Sequence, residues 1–394
     1  MNWRKISIGC GWFAACGLGF GNGFYVPVQD PFATARGNAW VATANSPAAV
    51  YYNPAGLTQL EDPTIQGGLY TVRLGLDAYA SGKRLKSDAT WKTLPQLYGA
   101  VPLAKGLVAG FGLNTPFGLS TDWPNTGPIR TFGTKTDLKY LAGWAVLGYK
   151  LADSFSIGGG VGIHRADLTM RQGIGIMPND QFDFTGNGTG YSWLISARWQ
   201  PHEQHSFGLI YRSQTDFDLK GRTITFPYIP KGEPAAMDFM TPATAAFGYA
   251  FRPNESWEFE LNVEYVVWDK LDSLAMVKRS GNLSIPFFWD SNFIYSAGVT
   301  RRFGGCWIVN AGYNYIENSQ PDATFTPAIA DADRHWINLG IGQDRGRFSW
   351  FLAYQYAFSG RQVNGSPVNS FGQTANGKYN SRFHSLSLNG TWHF

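Results

Sequence analysis

From residue 64 to the C terminus the chain alternates apolar and polar side chains in short runs. The connections between runs take turns between tight and long. The tight ones are Ala104-Lys105-Gly106, Ala152-Asp153-Ser154, Pro201 to Gln204, Pro253-Asn254-Glu255, Gly304-Gly305 and Asp344-Arg345-Gly346. The long ones are 81–94, 116–136, 173–187, 223–240, 269–291, 319–333 and 362–379. A soluble sandwich has no reason to segregate loop length by side. A transmembrane β-barrel does, with short turns on the periplasmic side and long loops outside. The closing run Asn380 to Phe394 shows the same period at residue resolution. Leu386, Leu388, Gly390, Trp392 and Phe394 share one face. Ser385, Ser387, Asn389, Thr391 and His393 share the other, because successive strand side chains point to opposite sides.

Fourteen strands fit between the connections: 64–80, 95–103, 107–115, 137–151, 155–172, 188–199, 205–222, 241–252, 256–268, 292–303, 306–318, 334–343, 347–361 and 380–394. The number is even, as single-chain bacterial barrels require. Several strands exceed the roughly 9–11 residues that cross hydrocarbon, so the barrel should protrude outside. The long connections leave room for an extra hairpin around Leu274–Arg279. The expected fold class is thus an all-β membrane protein, a 14-stranded antiparallel transmembrane barrel over 64–394.

Composition agrees. Mean hydropathy is -0.20, which suits a wall whose lumenal half is polar. Net charge is +4 with no basic run, so nucleic acid is not an expected partner. No stretch of 18 apolar residues follows the N terminus, which removes helical spans from consideration. Residues 1–23 read as a secretory signal, with Arg4 and Lys5 before an apolar run from Ile6 to Phe20. The cleavage site is left open, as is lipid attachment at Cys16. Cys306 stands alone in the body of the chain and has no disulfide to form.

Residues 24–57 are different in kind, rich in Ala, Asn and Pro. Asp30-Pro31 and Ser46-Pro47 each pair a capping residue with proline at the first helical position. They predict short helices over Phe32–Val41 and Ala48–Tyr52. Neither is long enough to stand alone in water, and a barrel interior would supply a packing surface.

On these residues the chain resembles the FadL/TodX type of outer-membrane transporters for long-chain fatty acids and other hydrophobic compounds. The resemblance rests on an ordered set: GFYVPVQDPFATARGNAWVATANSPAAVYYNPAGLTQL with Asn53-Pro54-Ala55, Gly112 to Leu119 (GLNTPFGL) with Trp123 and Thr136-Asp137-Leu138, Gly148 to Leu151 before Ser156 to Gly160, Pro321-Asp322 with Asp331 to Arg334, and Phe394. It implies an N-terminal hatch over roughly 24–57 that plugs the lumen, and capture of a hydrophobic small molecule in outside loops. It also implies release sideways through a gap made by a kinked third strand, near Asn53, Pro54 and Ala55. Gly110 and Gly112 are the kink candidates. Phe117, Leu119 and Trp123 are the ligand-binding candidates, with packing of the loop onto the rim as the competing role. No catalytic residue, metal or cofactor is expected. The expected partners beyond the ligand are outer-membrane lipid and lipopolysaccharide, and the barrel assembly machinery through Phe394. The chain should act as a monomer.

Glu258, Glu260 and Glu264 should face the lumen and pair with Arg198, Arg212 and Arg252. Trp199, Trp257, Trp307, Trp350 and Trp392 fit an interfacial belt. Asp331, Asp333 and Arg334 fit a salt-bridged turn. Three other readings remain: a diffusion porin, which needs no plug; an outer-membrane lipid hydrolase, for which His335 and His384 are the nearest candidates; and a structural or adhesive barrel.

Overall fold

The computed structural model describes residues 22–88, 90–369 and 371–394. Of the expected signal over 1–23, residues 1–21 with Cys16 lie outside them. The alternation is realised as one closed antiparallel wall. Its strands are β1 (Thr64–Ala80), β2 (Trp91–Ala104), β3 (Leu107–Asn114 continued by Leu119–Asp122), β4 (Lys135–Ala152), β5 (Phe155–Gln172) and β6 (Gln181–His202). Then come β7 (His205–Arg212 with Thr215–Phe226), β8 (Ile229–Thr241 with Ala243–Asn254), β9 (Trp257–Val267) and β10 (Asn292–Phe303). β11 (Trp307–Ile316), β12 (Arg334–Asp344), β13 (Phe348–Val363) and β14 (Gly377–His393) complete it. β1 pairs with β2 on one side and with β14 on the other, from Thr64↔His393 to Ala80↔Gly377. The sheet therefore closes on itself, as backbone that crosses lipid requires.

The alternation sorts side chains as the closing run predicts. Leu386, Leu388 and Trp392 are exposed on the outside, while Ser385, Ser387, Asn389 and Thr391 are buried inside. Phe259, Leu261, Val263 and Tyr265 likewise point outward. The tight turns close on glycines with positive φ, 76° at Gly106 and at Gly346 and 59° and 77° at Gly304 and Gly305. That conformation costs glycine little.

The long connections hold more strand than their sequence suggests. The stretch 223–240, expected as a loop, extends β7 and β8 into a ladder that runs out to Thr225↔Ile229. The hairpin near Leu274 is present, as Ser273–Lys278 and Leu283–Pro286, and it docks on β8 through Ala235 to Met237. A short strand, Lys83–Lys86, folds back on β1.

Inside the wall lies the N-terminal segment. It contains α1 (Pro31–Ala35), α2 (Ala49–Tyr52) and a 3-10 turn over Pro54–Gln59. Asp30 caps α1 by accepting from the Ala33 amide at 3.1 Å. The helix is much shorter than the expected Phe32–Val41, because Gly37 and Asn38 take φ of 62° and 59° and turn the chain away. Residues from Phe24 to Leu57 are almost all buried.

The segment sits against glycines on the inner face of the wall. A Cβ on Gly148 would come within 2.6 Å of the Pro54 carbonyl oxygen, and one on Gly158 within 2.5 Å of the Ala55 amide. One on Gly298 would meet the Arg36 carbonyl at 2.5 Å, and Gly312 is closer still to Arg36. Backbone here packs on backbone, which only glycine permits.

Candidate functional site

β3 is broken. Its first part pairs with β4 up to Asn114↔Ala142, and pairing resumes at Leu119↔Leu138. β3 thus uses one residue more than β4 across the break, a bulge that frees the backbone of 115–118. β2 follows β3 only as far as Leu97↔Leu113. Beyond that point Trp91 to Gln96 pair with β1 alone, and Leu119 to Asp122 with β4 alone. The result is a window in the wall between β2 and β3. Its upper end is closed by the Asp88 amide on the Asp122 carbonyl at 2.9 Å and the Asp122 amide on Ser87 Oγ at 3.0 Å.

The N-terminal segment stoppers this window from inside. The Val26 amide donates to the Pro116 carbonyl and the Gly118 amide to the Phe24 carbonyl, both at 2.8 Å. Gln29 grips Thr115 from both sides: its Oε1 accepts from the Thr115 amide at 3.0 Å and its Nε2 donates to the Thr115 carbonyl at 3.1 Å. Tyr98 donates to the Gln29 carbonyl at 2.9 Å. Buried backbone groups need partners, and residues 24–29 supply the ones that the bulge takes from the sheet.

Gly110 and Gly112 are not where β3 bends. Their ladders to β2 and β4 are unbroken. Their lack of a side chain instead admits Val50 of α2, which a Cβ on Gly110 would meet at 2.7 Å. Asn53, Pro54 and Ala55 also lie away from the window, against Gly148, Gly158 and β6. Asn53 Nδ2 donates to the carbonyls of Val41 at 2.8 Å and Ala197 at 3.1 Å, and its Oδ1 accepts from Ala55. The residues at the window, Phe24 to Gln29 and Thr115 to Gly118, lie within two of the segments that carry the resemblance, and the proline in the strand was the signal of a break.

Phe117, Leu119 and Trp123 are buried rather than arrayed on a surface groove. Phe117 occupies the bulge, with its ring centroid 5.3 Å from Tyr25 and 5.1 Å from Tyr140. Trp123 lies under the outer loop and donates to the Pro327 carbonyl at 2.8 Å. Leu119 helps line an apolar cleft at the loop end of the lumen, with Phe24, Leu138, Leu168, Phe239 and Met276, and with Lys135 and Arg171 at its edge. A smaller cavity lies between Tyr25, Phe117, Tyr140, His164 and Arg212. Phe24 borders the cleft while Tyr25 and Phe117 border the cavity, so one stretch of backbone separates the two and also stoppers the window. Asp180 orders the outer loop beside the cleft. Burial alone would raise its pKa, but the amides of Ile174 to Met177 and Arg130 hold it well below the usual carboxylate range.

The segment is latched to the wall by charge. Buried Arg36 reaches Glu258 at 2.5 Å and Glu260 at 3.3 Å. Glu258 also takes Arg252 at 2.5 Å, and Glu264 takes Arg212 at 3.5 Å. Arg252 and Arg212 are the partners expected for these acids. Arg198 is not, since it donates to the Ala42 carbonyl at 3.2 Å and to Gln200. Asp331 and Asp333 accept backbone amides of Ser319 and Asn318 instead of a salt bridge, and Arg334 stacks on Phe383. His335 and His384 bond outward-facing Tyr313 and Tyr354, with no catalytic geometry.

Burial pushes the Asp30 carboxyl up to about 6, against the hydrogen bonds from Ala33, Gln66 and Asn389. A raised acid pKa means the packed state holds the proton more tightly than the loosened one. Packing is therefore favoured below about pH 4 and weakens as pH rises to about 6, by an amount on the order of 3 kcal/mol. The leak current through single barrels in a planar bilayer should be lower at pH 5 than at pH 7.5. Asp30→Asn should remove that difference, because Gln66 and Asn389 can turn their amides to match.

A closed barrel with its lumen filled by residues 24–57 and a stoppered window in its wall defines a class: plugged β-barrels of the outer-membrane type. The chain belongs to the outer membrane protein transport protein family (OMPP1/FadL/TodX), whose model matches residues 14–385. Among curated relatives, outer membrane protein P1 of Haemophilus influenzae is 21% identical over 349 residues, covering 79% of this chain and 76% of that protein. The long-chain fatty acid transport protein of Escherichia coli O6:H1 is 21% identical over 350 residues, covering 76% and 78%. The fold is shared with a Pseudomonas aeruginosa FadL homologue, at TM-score 0.86 and 20% identity over 94% of this chain and 100% of that one. It is also shared with the Pseudomonas putida toluene transporter TodX, at TM-score 0.72 and 15% identity over 93% and 98%.

Proposed function

We propose that this protein passes hydrophobic small molecules, of the long-chain fatty acid or aromatic hydrocarbon kind, from the cell exterior into the outer membrane. The ligand enters the apolar cleft, moves past Phe24, Tyr25 and Phe117, and leaves sideways through the window between β2 and β3. Residues 24–57 act as the hatch. The observation that carries this reading is the broken β3 with its backbone held by residues 24–29 instead of by β2. A porin would have neither the break nor the stopper. The apolar lining supports a ligand that gains roughly 0.8 kcal/mol per buried methylene. A sideways exit keeps that ligand out of water on its way into the bilayer.

The test is uptake of labelled oleate and labelled toluene by cells lacking their own channel for such compounds. The informative variant is deletion of Gly118, which equalises the residue count of β3 and β4 across the break and lets the ladder close. Uptake of at least one compound by the wild type, reduced tenfold or more in the deletion while the barrel still folds, is the expected result. Equal uptake by both proteins would rule out the window as the exit.

A further inference from the structure

The outer wall around the seam of β1 and β14 carries a groove of about 630 Å³, bordered by Asp77, Tyr79, Arg84, Phe358, Lys378 and Arg382. Three of these are cations and one is an acid. Asp77 reaches Arg84 at 3.4 Å. Among the described residues Lys378 and Arg382 have no carboxylate within the 4.0 Å that defines an ion pair. Arg73 and Lys86 add exposed cations to the same face. Elsewhere on the barrel several cations are paired. There Lys135 has Asp122 at 3.4 Å, Arg165 has Asp167 at 3.8 Å, Arg171 has Asp183 at 2.7 Å and Lys220 has Asp218 at 3.3 Å. At the seam, Lys378 and Arg382 thus place two cations without a carboxylate partner on the wall of one groove.

Height decides what can meet it. Register places Arg382 opposite Gly75 and Lys378 opposite Tyr79. Counting from Ile65, the first exposed apolar side chain of β1, a rise of ~3.3 Å per residue and a tilt of ~40° put Arg382 about 25 Å up and Lys378 about 35 Å up. The apolar band of such barrels is about 25 Å tall. The groove therefore begins where hydrocarbon ends, on the outside. Below it Leu69, Leu352, Leu386 and Leu388 face lipid, and Tyr354 and Phe358 stand at its lower edge.

We infer that this groove is a binding site for a phosphorylated glycolipid of the outer leaflet, of the lipid A type. Arg382 and Lys378 take its phosphates, as guanidinium and ammonium groups do. The aromatic side chains lie against its sugars, and its acyl chains follow the leucines downward. Unmatched cations at a membrane surface each strengthen binding to anionic lipid, and both partners are already at the same height.

The test uses the purified full-length barrel, stripped of lipid and titrated in native mass spectrometry. The probes are bisphosphorylated hexa-acyl lipid A, the same lipid dephosphorylated, phosphatidylglycerol and inorganic phosphate. Lys378→Ser with Arg382→Ser should weaken bisphosphorylated lipid A at least tenfold, and Lys220→Ser should leave it unchanged. Lys378→Gln alone should give a smaller loss in the same direction and serves if the double variant does not fold, as judged by heat-modifiable gel mobility. The site is overturned if the lysine and arginine variants bind within twofold of wild type. It is equally overturned if dephosphorylated lipid binds as well, or if phosphatidylglycerol or free phosphate competes at the same concentration.

Discussion

Replacing Gly148 and Gly158 with leucine is expected to convert the closed barrel into an open pore. Each new Cβ would fall 2.5–2.6 Å from backbone atoms of Pro54 and Ala55, and backbone cannot yield as a flexible side chain can. The three carbons of leucine beyond Cβ enlarge the clash. The outer wall is untouched, since both glycines sit on lumenal positions of β4 and β5, so the barrel should still assemble. The plug alone loses its seat. Single-channel recording in planar bilayers should show conductance at least tenfold above the wild-type leak. Cells should become sensitive to antibiotics too large for ordinary porins. A silent channel from a folded double variant would show that the plug can seat without these contacts.

The second large effect should come from Arg36→Ala. Arg36 is buried between Glu258 and Glu260, and removing one partner of a buried ion pair typically costs about 3–5 kcal/mol. Glu258 keeps Arg252, but Glu260 would be left with only Thr43 and the Ala42 amide. The loss should appear as plug release at lower urea concentration, read by protease cleavage within 30–45, with the barrel's own unfolding unchanged. Glu260→Gln added to Arg36→Ala should restore part of the loss, because it takes away the stranded charge. If the double variant is no better than the single, the penalty comes from lost packing of the arginine stem and not from charge.

The wall was legible in the sequence because its signals are repetitive. Period-2 alternation, tight glycine turns and an even strand number each recur around the barrel, so one ambiguous strand does not upset the count. What was misread was local and singular. Pro227, Pro230 and Pro234 punctuate 223–240 like a loop, yet Pro227 lies in the turn between β7 and β8, and prolines at the outer end of a ladder remove few sheet hydrogen bonds, so β8 continues through Pro230 and Pro234. α1 ends early because Asn38 adopts a left-handed conformation, which no capping pattern announces. The break in β3 depends on a one-residue surplus over β4, a relation between two strands invisible in either alone. Gly110 and Gly112 were the visible irregularity, and they serve the plug instead. Arg36 escaped notice as the partner of Glu258 and Glu260 because its segment was read by helix signals, while the pairing crosses more than two hundred residues of chain.

The intimate fit between plug and wall also sets a schedule for assembly. β1 finds its second partner only in β14, so the cylinder cannot shut until the end of the chain is in place. The N-terminal segment lays its backbone against glycines of β4, β5, β7, β8, β10 and β11, so its seat is complete only when those staves stand together. Wall and filling are thus completed by one another, much as staves and form are in a cooper's work.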